Sequence, residues 1–158
     1  MCKTHNMDST ALITQFYTAF QQLDAEAMAA CYHKDVVFTD PAFGTLKGTH
    51  AANMWRMLCA NQKDKGLKVE FSRITDHSAH WEAQYIFSKT ERKVHNKIDA
   101  TFAFKDGLII EHTDQFNLHK WATQAMGIQG FLLGGTGFFR KKLQAQTNKL
   151  LARYESSL

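Results

Sequence analysis

The stretch Ile98-Asp99-Ala100-Thr101-Phe102-Ala103-Phe104-Lys105-Asp106-Gly107-Leu108-Ile109-Ile110-Glu111-His112-Thr113-Asp114 decides the fold. Ile98, Ala100, Phe102 and Phe104 recur with period two, the spacing of one face of a β-strand. Lys105-Asp106-Gly107 then supplies a tight hairpin turn, with glycine providing the positive φ that such turns need. A return strand is predicted from Leu108 to about Leu118. Upstream, Leu67, Val69 and Phe71 alternate in the same way, as do Trp81, Ala83, Tyr85 and Phe87.

Before residue 60 the period is helical. Asp8 or Ser9 is placed to cap a helix whose Leu12, Phe16, Phe20 and Leu23 share a face. Asp24 caps a shorter helix with Met28 and Cys31 or Tyr32 inward. Val36 to Asp40 reads as a strand stopped by Pro41, the chain's only proline, and by Gly44. Gly48-Thr49 opens a third helix striped by Ala52, Trp55, Leu58 and Cys59. Helices first and consecutive antiparallel strands afterwards indicate an α+β fold, with helices packed on one face of a curved, mainly antiparallel sheet.

A chain of 158 residues has the length of one ordinary domain. Its 44% hydrophobic and 22% charged residues exclude disorder, collagen and coiled coil as whole-chain readings. No apolar run approaches the roughly 20 residues that cross a bilayer. The opening Met1-Cys-Lys-Thr-His-Asn6 lacks the apolar core of a secretory signal, so a reduced, cytoplasmic protein is expected. Domain organisation is read as an α+β domain over 1–120. A Gly-rich connection and a basic amphipathic C-terminal helix follow over 121–158, packed on the same domain.

Nineteen basic and fifteen acidic residues give a net charge of +4. The excess is local: Lys120, Arg140, Lys141, Lys142, Lys149 and Arg153 face only Glu155 beyond Leu118. Without stacking aromatics along a basic groove, no nucleic-acid partner is expected. Phe139, Leu143, Leu150 and Tyr154 form the apolar stripe of the last helix. It suits docking on its own domain or on a sister subunit in a homodimer, with membrane contact as the alternative.

Candidate site residues emerge from the strand phases. In a regular strand His112 and Asp114 share a side with Leu108, Ile110 and Phe116, where unpaired polar groups are costly. Asp40 follows Val36 and Phe38 on one side of the first strand. Two carboxylates and an imidazole facing an apolar enclosure suit acid–base chemistry, because desolvation raises a carboxyl pKa and histidine titrates near neutrality. A structural network is the other use of the same groups. Asp99 lies opposite Ile98 and Ala100 unless a bulge shifts the phase, and both phases stay open. His77, His80 and Glu82 read as a surface turn. Cys2, Cys31 and Cys59 lack metal or nucleophile spacing, and no phosphate-cradling glycine loop is present. No metal and no cofactor are expected.

The order of elements, with Val37-Phe38-Thr39-Asp40-Pro41 and Ile98-Asp99 before Phe102–Ile109, resembles the nuclear transport factor 2-like superfamily over residues 8 to 120. That superfamily is a cone-shaped α+β fold that includes ketosteroid isomerase and the SnoaL-like polyketide cyclases. The resemblance to ketosteroid isomerase implies a proton-shuttling base at Asp40 and a protonated oxyanion-hole acid at Asp99. The oxyanion tyrosine position is Phe16 here, with Tyr17 about 100° further round the helix. A phenyl ring donates no hydrogen bond. Polar residues on the last strand, His112 and Asp114, are more similar to the cyclase branch.

The expected function is therefore cofactor-independent acid–base catalysis, as an isomerase or cyclase-like lyase, on a small apolar carbonyl or ring compound. Asp40, Asp99, His112 and Asp114 would be catalytic, and Phe16, Tyr17, Phe38, Trp55, Tyr85 and Phe116 would line the pocket. A non-catalytic pocket for a hydrophobic ligand, or a dimeric interaction module, are the alternatives.

Overall fold

The computed structural model describes residues 8–158; Cys2 and the rest of the opening segment lie outside them. Helix α1 (Ser9–Gln21) begins where the Asp8 side chain accepts the Thr10 N–H, and α2 (Ala25–Ala30) where Asp24 accepts that of Ala27. Strand β1 (Tyr32–Asp40) follows, then β2 (Gly44–Lys47) and α3 (Thr49–Gln62). Strands β3 (Lys68–Ser72), β4 (Ser78–Phe87), β5 (Arg92–Lys105) and β6 (Leu108–Gln115) form the rest of the sheet. Helices α4 (Leu118–Met126), α5 (Ile128–Leu133) and α6 (Gly137–Ser156) end the chain.

The strands form one mixed, open, curved sheet in the order β2-β1-β6-β5-β4-β3. All neighbours are antiparallel except β1 and β6, which run parallel. The 105–107 turn closes β5 on β6 with positive φ at both Asp106 and Gly107, the geometry of a two-residue hairpin that matches strand twist. The inward faces of β4 and β5 carry Ala79, Trp81, Ala83, Val94, Ile98, Ala100 and Phe102, all buried, as the period-two pattern requires. Helices α1 and α3 lay Phe16, Tyr17, Phe20, Met54 and Trp55 against that face.

Four local readings change. The segment after Pro41 turns back as β2, pairing Asp40 with Gly44 and Phe38 with Leu46. Strand β1 starts at Tyr32 and so takes this residue from the helix into the sheet. Strand β6 ends at Gln115, because Asn117 accepts the Lys120 N–H and starts α4 at Leu118. Within β6, Glu111 pairs with Ala103 but Ile109 pairs with Phe104, leaving Ile110 as an extra residue. That bulge inverts the phase, so Ile109, and not Leu108 or Ile110, is fully buried on the side of His112 and Asp114.

Helix α4 packs Trp121, Ala122 and Ala125 with Val94 in a second apolar cluster, and Tyr85 and Phe116 touch both clusters. Helix α6 meets the core by most of its predicted stripe, with Phe139, Leu143 and Tyr154 packed against the two clusters, but Leu151 takes the place expected of Leu150. Leu151 is buried while Leu150 is 42% exposed. The inward side chains beside Leu151 are polar: Gln144, Thr147 and Asn148 donate to the carbonyls of Pro41, Ala42 and Phe43. Glu155 accepts from Asn53 and pairs with His50 on α3. Half-buried carbonyls of the 41–43 turn thus share with Phe139, Leu143, Leu151 and Tyr154 in setting how α6 is rotated, since leaving them unpaired is costly. Among the described residues no helix is long and apolar enough to cross a membrane.

Candidate active site

Strand β6 brings His112 and Asp114 to the inner face of the sheet, where their side chains are 0% and 3% exposed. Neither is left unpaired. Trp55 Nε1–H donates to the Tyr32 hydroxyl oxygen at 2.8 Å. The Tyr32 oxygen lies 2.7 Å from His112 Nδ1, and His112 Nε2 lies 2.9 Å from Asp114 Oδ1. Trp81 Nε1–H donates to the same Asp114 oxygen at 3.3 Å.

Donor counting gives one direction in which every member of this chain is satisfied. An indole only donates, so Tyr32 accepts from Trp55 and its own proton goes to His112 Nδ1. In that direction His112 Nε2–H donates to Asp114 Oδ1, which also accepts from Trp81. The relay is enclosed by rings. Trp55 stacks on His112 at 12° with centroids 6.1 Å apart, the Phe102 ring lies at 4.5 Å, and Phe16 and Phe38 meet the imidazole edge to face.

Asp40 ends β1 at the border of this group, partly buried. Its Oδ1 accepts the Ala42 and Phe43 N–H groups at 2.9 and 2.6 Å, which closes the turn under α6. Burial pushes its carboxyl up to about 7; the Asp114 charge adds to the rise, and the two backbone N–H groups oppose it. Tyr17 is fully buried, and its hydroxyl is the one buried side-chain polar atom without a hydrogen-bond partner among the described residues. Burial first, then the charges of Asp114 and Tyr32, holds its phenol well above the ordinary tyrosine range.

The structure thus brings together Asp40, His112, Asp114, Phe16, Tyr17, Phe38 and Trp55. Tyr85 and Phe116 stand further along the same face, where Trp121 Nε1–H donates to the Tyr85 hydroxyl. Asp99 does not join them. Strand β5 alternates without a bulge from Val94 to Phe102, so Asp99 faces outward, 80% exposed, and pairs with His80 at 2.9 Å. The bulge that the sequence left open lies one strand over, at Ile110.

His80 and Glu82 also lie on that outer strand face rather than in a turn, and Glu82 bridges His80 and His95. No group of three or more histidine, cysteine, aspartate or glutamate side chains among the described residues is arranged to hold a metal ion. Tyr32 and Trp81 were missed as polar members of the site. The alternation of β4 signals an inward Trp81, but no local signal says that its N–H meets a carboxylate.

The centre is packed shut in this conformation. Gln144 and Thr147 of α6 hold the turn at 41–43 beside Asp40, and Trp121 bonds Tyr85 further along the face. An open groove of about 680 Å³ lies elsewhere, between the α1–α2 corner, α3 and the end of α6, lined by Glu26, Asn53, Arg56 and Tyr154 among others. Around His112 itself the interior is filled by ring-to-ring packing.

The family model described as a SnoaL-like domain matches residues 13–112. No curated protein matches the sequence. Among solved structures, one from Xanthomonas campestris pv. campestris described as a polyketide cyclase is 19% identical, with a TM-score of 0.58, covering 75% of this chain and 97% of its own. An LEH-like epoxide hydrolase of M. tuberculosis is 18% identical, with a TM-score of 0.55 over 80% of this chain and 91% of its own. A protein of ketosteroid isomerase-like fold from Catenulispora acidiphila is 16% identical, with a TM-score of 0.53 over 72% and 91%. At these identities the structures share the fold alone. The family match spans most of the chain, and by it the chain belongs to the SnoaL-like family of the nuclear transport factor 2-like superfamily.

Proposed function

We propose that the protein is a cofactor-independent acid–base enzyme, an isomerase or cyclase-like lyase, for a small apolar carbonyl or ring compound. The observation that carries this reading is the orphaned Tyr17 hydroxyl beside a buried carboxylate network. A substrate oxygen would satisfy it, restoring from the next helical position the donor that Phe16 cannot provide. Asp40, poised near neutrality, would take a proton from the carbon α to the carbonyl as the oxygen gains charge, and return it to a second carbon. The Trp55–Tyr32–His112–Asp114 chain holds the surrounding groups in one geometry. Substrate entry requires the closing contacts of α6 or Trp121 to open.

The packed centre favours a second reading, a binding or interaction module in which the same chain of hydrogen bonds is structural. The test is a thermal-shift panel of lipophilic carbonyl and ring compounds, followed by turnover of any stabilising compound. The enzyme reading expects a pH–rate profile with an apparent pKa near 7, loss of turnover in Asp40→Asn, and a fall of about 10²–10³ in kcat for Tyr17→Phe. Stabilising compounds with no turnover would leave the second reading standing, and turnover that both variants retain would refute the roles given to Asp40 and Tyr17.

A further inference from the structure

Helix α5 is built inside out. Gly130 and Gly134 face α4 so closely that a Cβ on Gly130 would lie 1.9 Å from the Ala122 carbonyl oxygen. At about 100° per residue, Ile128 and Leu132 point directly away from that contact, with Phe131 and Leu133 on the flanks. Ile128 is 78% exposed, Leu132 68% and Phe131 59%. After the turn, Phe138 at the start of α6 is 71% exposed, and Lys142 Nζ sits 5.9 Å from its ring centroid. A soluble surface gains nothing from grouping such side chains, and exposed apolar patches of this kind mark contact sites.

The surrounding charge identifies the partner. From Gly127 to Tyr154 there are five basic residues, Arg140, Lys141, Lys142, Lys149 and Arg153, and no acidic one. Two copies meeting through this patch would bring both basic sets together with nothing to neutralise them. An anionic lipid surface complements both features: acyl chains accept the apolar tips and headgroups accept the lysines and arginines. We infer that the α5–α6 corner is a peripheral membrane-docking surface, selective for anionic bilayers, with Ile128, Phe131, Leu132 and Phe138 inserting. Lys141, Lys142, Lys149 and Arg153, within about 60° of Phe138 round the helix, lie at headgroup level.

Flotation of the full chain with vesicles tests this. One set is phosphatidylcholine alone and the other phosphatidylcholine with phosphatidylserine. The chain should float with the anionic vesicles, and raised salt should release it. Lys141→Glu with Lys142→Glu should weaken binding by more than about tenfold. Phe131→Ser with Leu132→Ser should weaken it at least about tenfold, since both side chains leave the acyl boundary. Both pairs are exposed, so unchanged circular dichroism and melting temperature confirm that the fold is retained. Flotation equal on both vesicle types, no flotation on either, or binding indifferent to the serine pair overturns the proposal. So does a dimer seen by light scattering that the serine pair dissociates, which assigns the patch to a second copy.

Discussion

Replacing Asp40 by asparagine should change how stability depends on pH. The folded protein keeps the Asp40 proton up to about 7, whereas an unconstrained aspartate loses it near 3.8. Between those values the folded state binds more protons than the unfolded state, so wild-type stability falls as pH rises through the window and levels off above it. At 1.36 kcal/mol per pH unit the full span corresponds to about 4 kcal/mol. Partial access of water to the carboxyl trims this to about 2–4 kcal/mol. Asparagine is the informative replacement because its Oδ1 still accepts from Ala42 and Phe43, preserving the turn under α6. Urea unfolding of both proteins at intervals from pH 4 to pH 8 gives the comparison. The variant should gain on the wild type as pH rises, with most of the gain complete by about pH 7.5. Two stability curves that run parallel across the window would refute the account of a desolvated Asp40, whatever the enzyme assays show.

The remaining expectations concern the buried network and its cover. Tyr17→Phe removes a hydroxyl that has no partner, so the urea midpoint should stay level or rise, by up to about 1 kcal/mol. Tyr32→Phe removes a hydroxyl with two partners and strands Trp55 Nε1–H and His112 Nδ1, which should cost about 2–4 kcal/mol. A Tyr32→Phe protein as stable as the wild type would contradict the place of the Tyr32 hydroxyl as the buried link between Trp55 and His112. Leu151→Ala should cost about 2–4 kcal/mol and speed amide exchange in the 41–43 turn, because Leu151 is the buried residue of α6 beside its polar contacts to that turn. Exchange confined to the end of α6 would show that the turn stands without it.

Much of this architecture was legible in local patterns. Helical spacing up to Cys59 and period two afterwards separate the helices from the strands, and Asp106-Gly107 marks the hairpin because few residues accept positive φ. Alternation puts His112 and Asp114 inward together, although the bulge at Ile110 replaces their expected neighbours Leu108 and Ile110 by Ile109, and it puts Asp99 outward once β5 is known to be regular. These signals lie within a few residues of chain, where backbone sterics and side-chain spacing act directly.

What tertiary structure decided is register, rotation and closure. The extra residue at Ile110 is set by pairing with β5 and places Ile109 in the core, although the neighbouring Ile110 is the same residue type. Tyr32 reaches His112 across 80 residues of sequence, and the rotation of α6 answers to three carbonyls more than 100 residues away. A lone sequence records which side chains can donate, accept or avoid water. Which donor meets which acceptor, and whether a hollow survives between them, depends on how separate elements share the same interior volume.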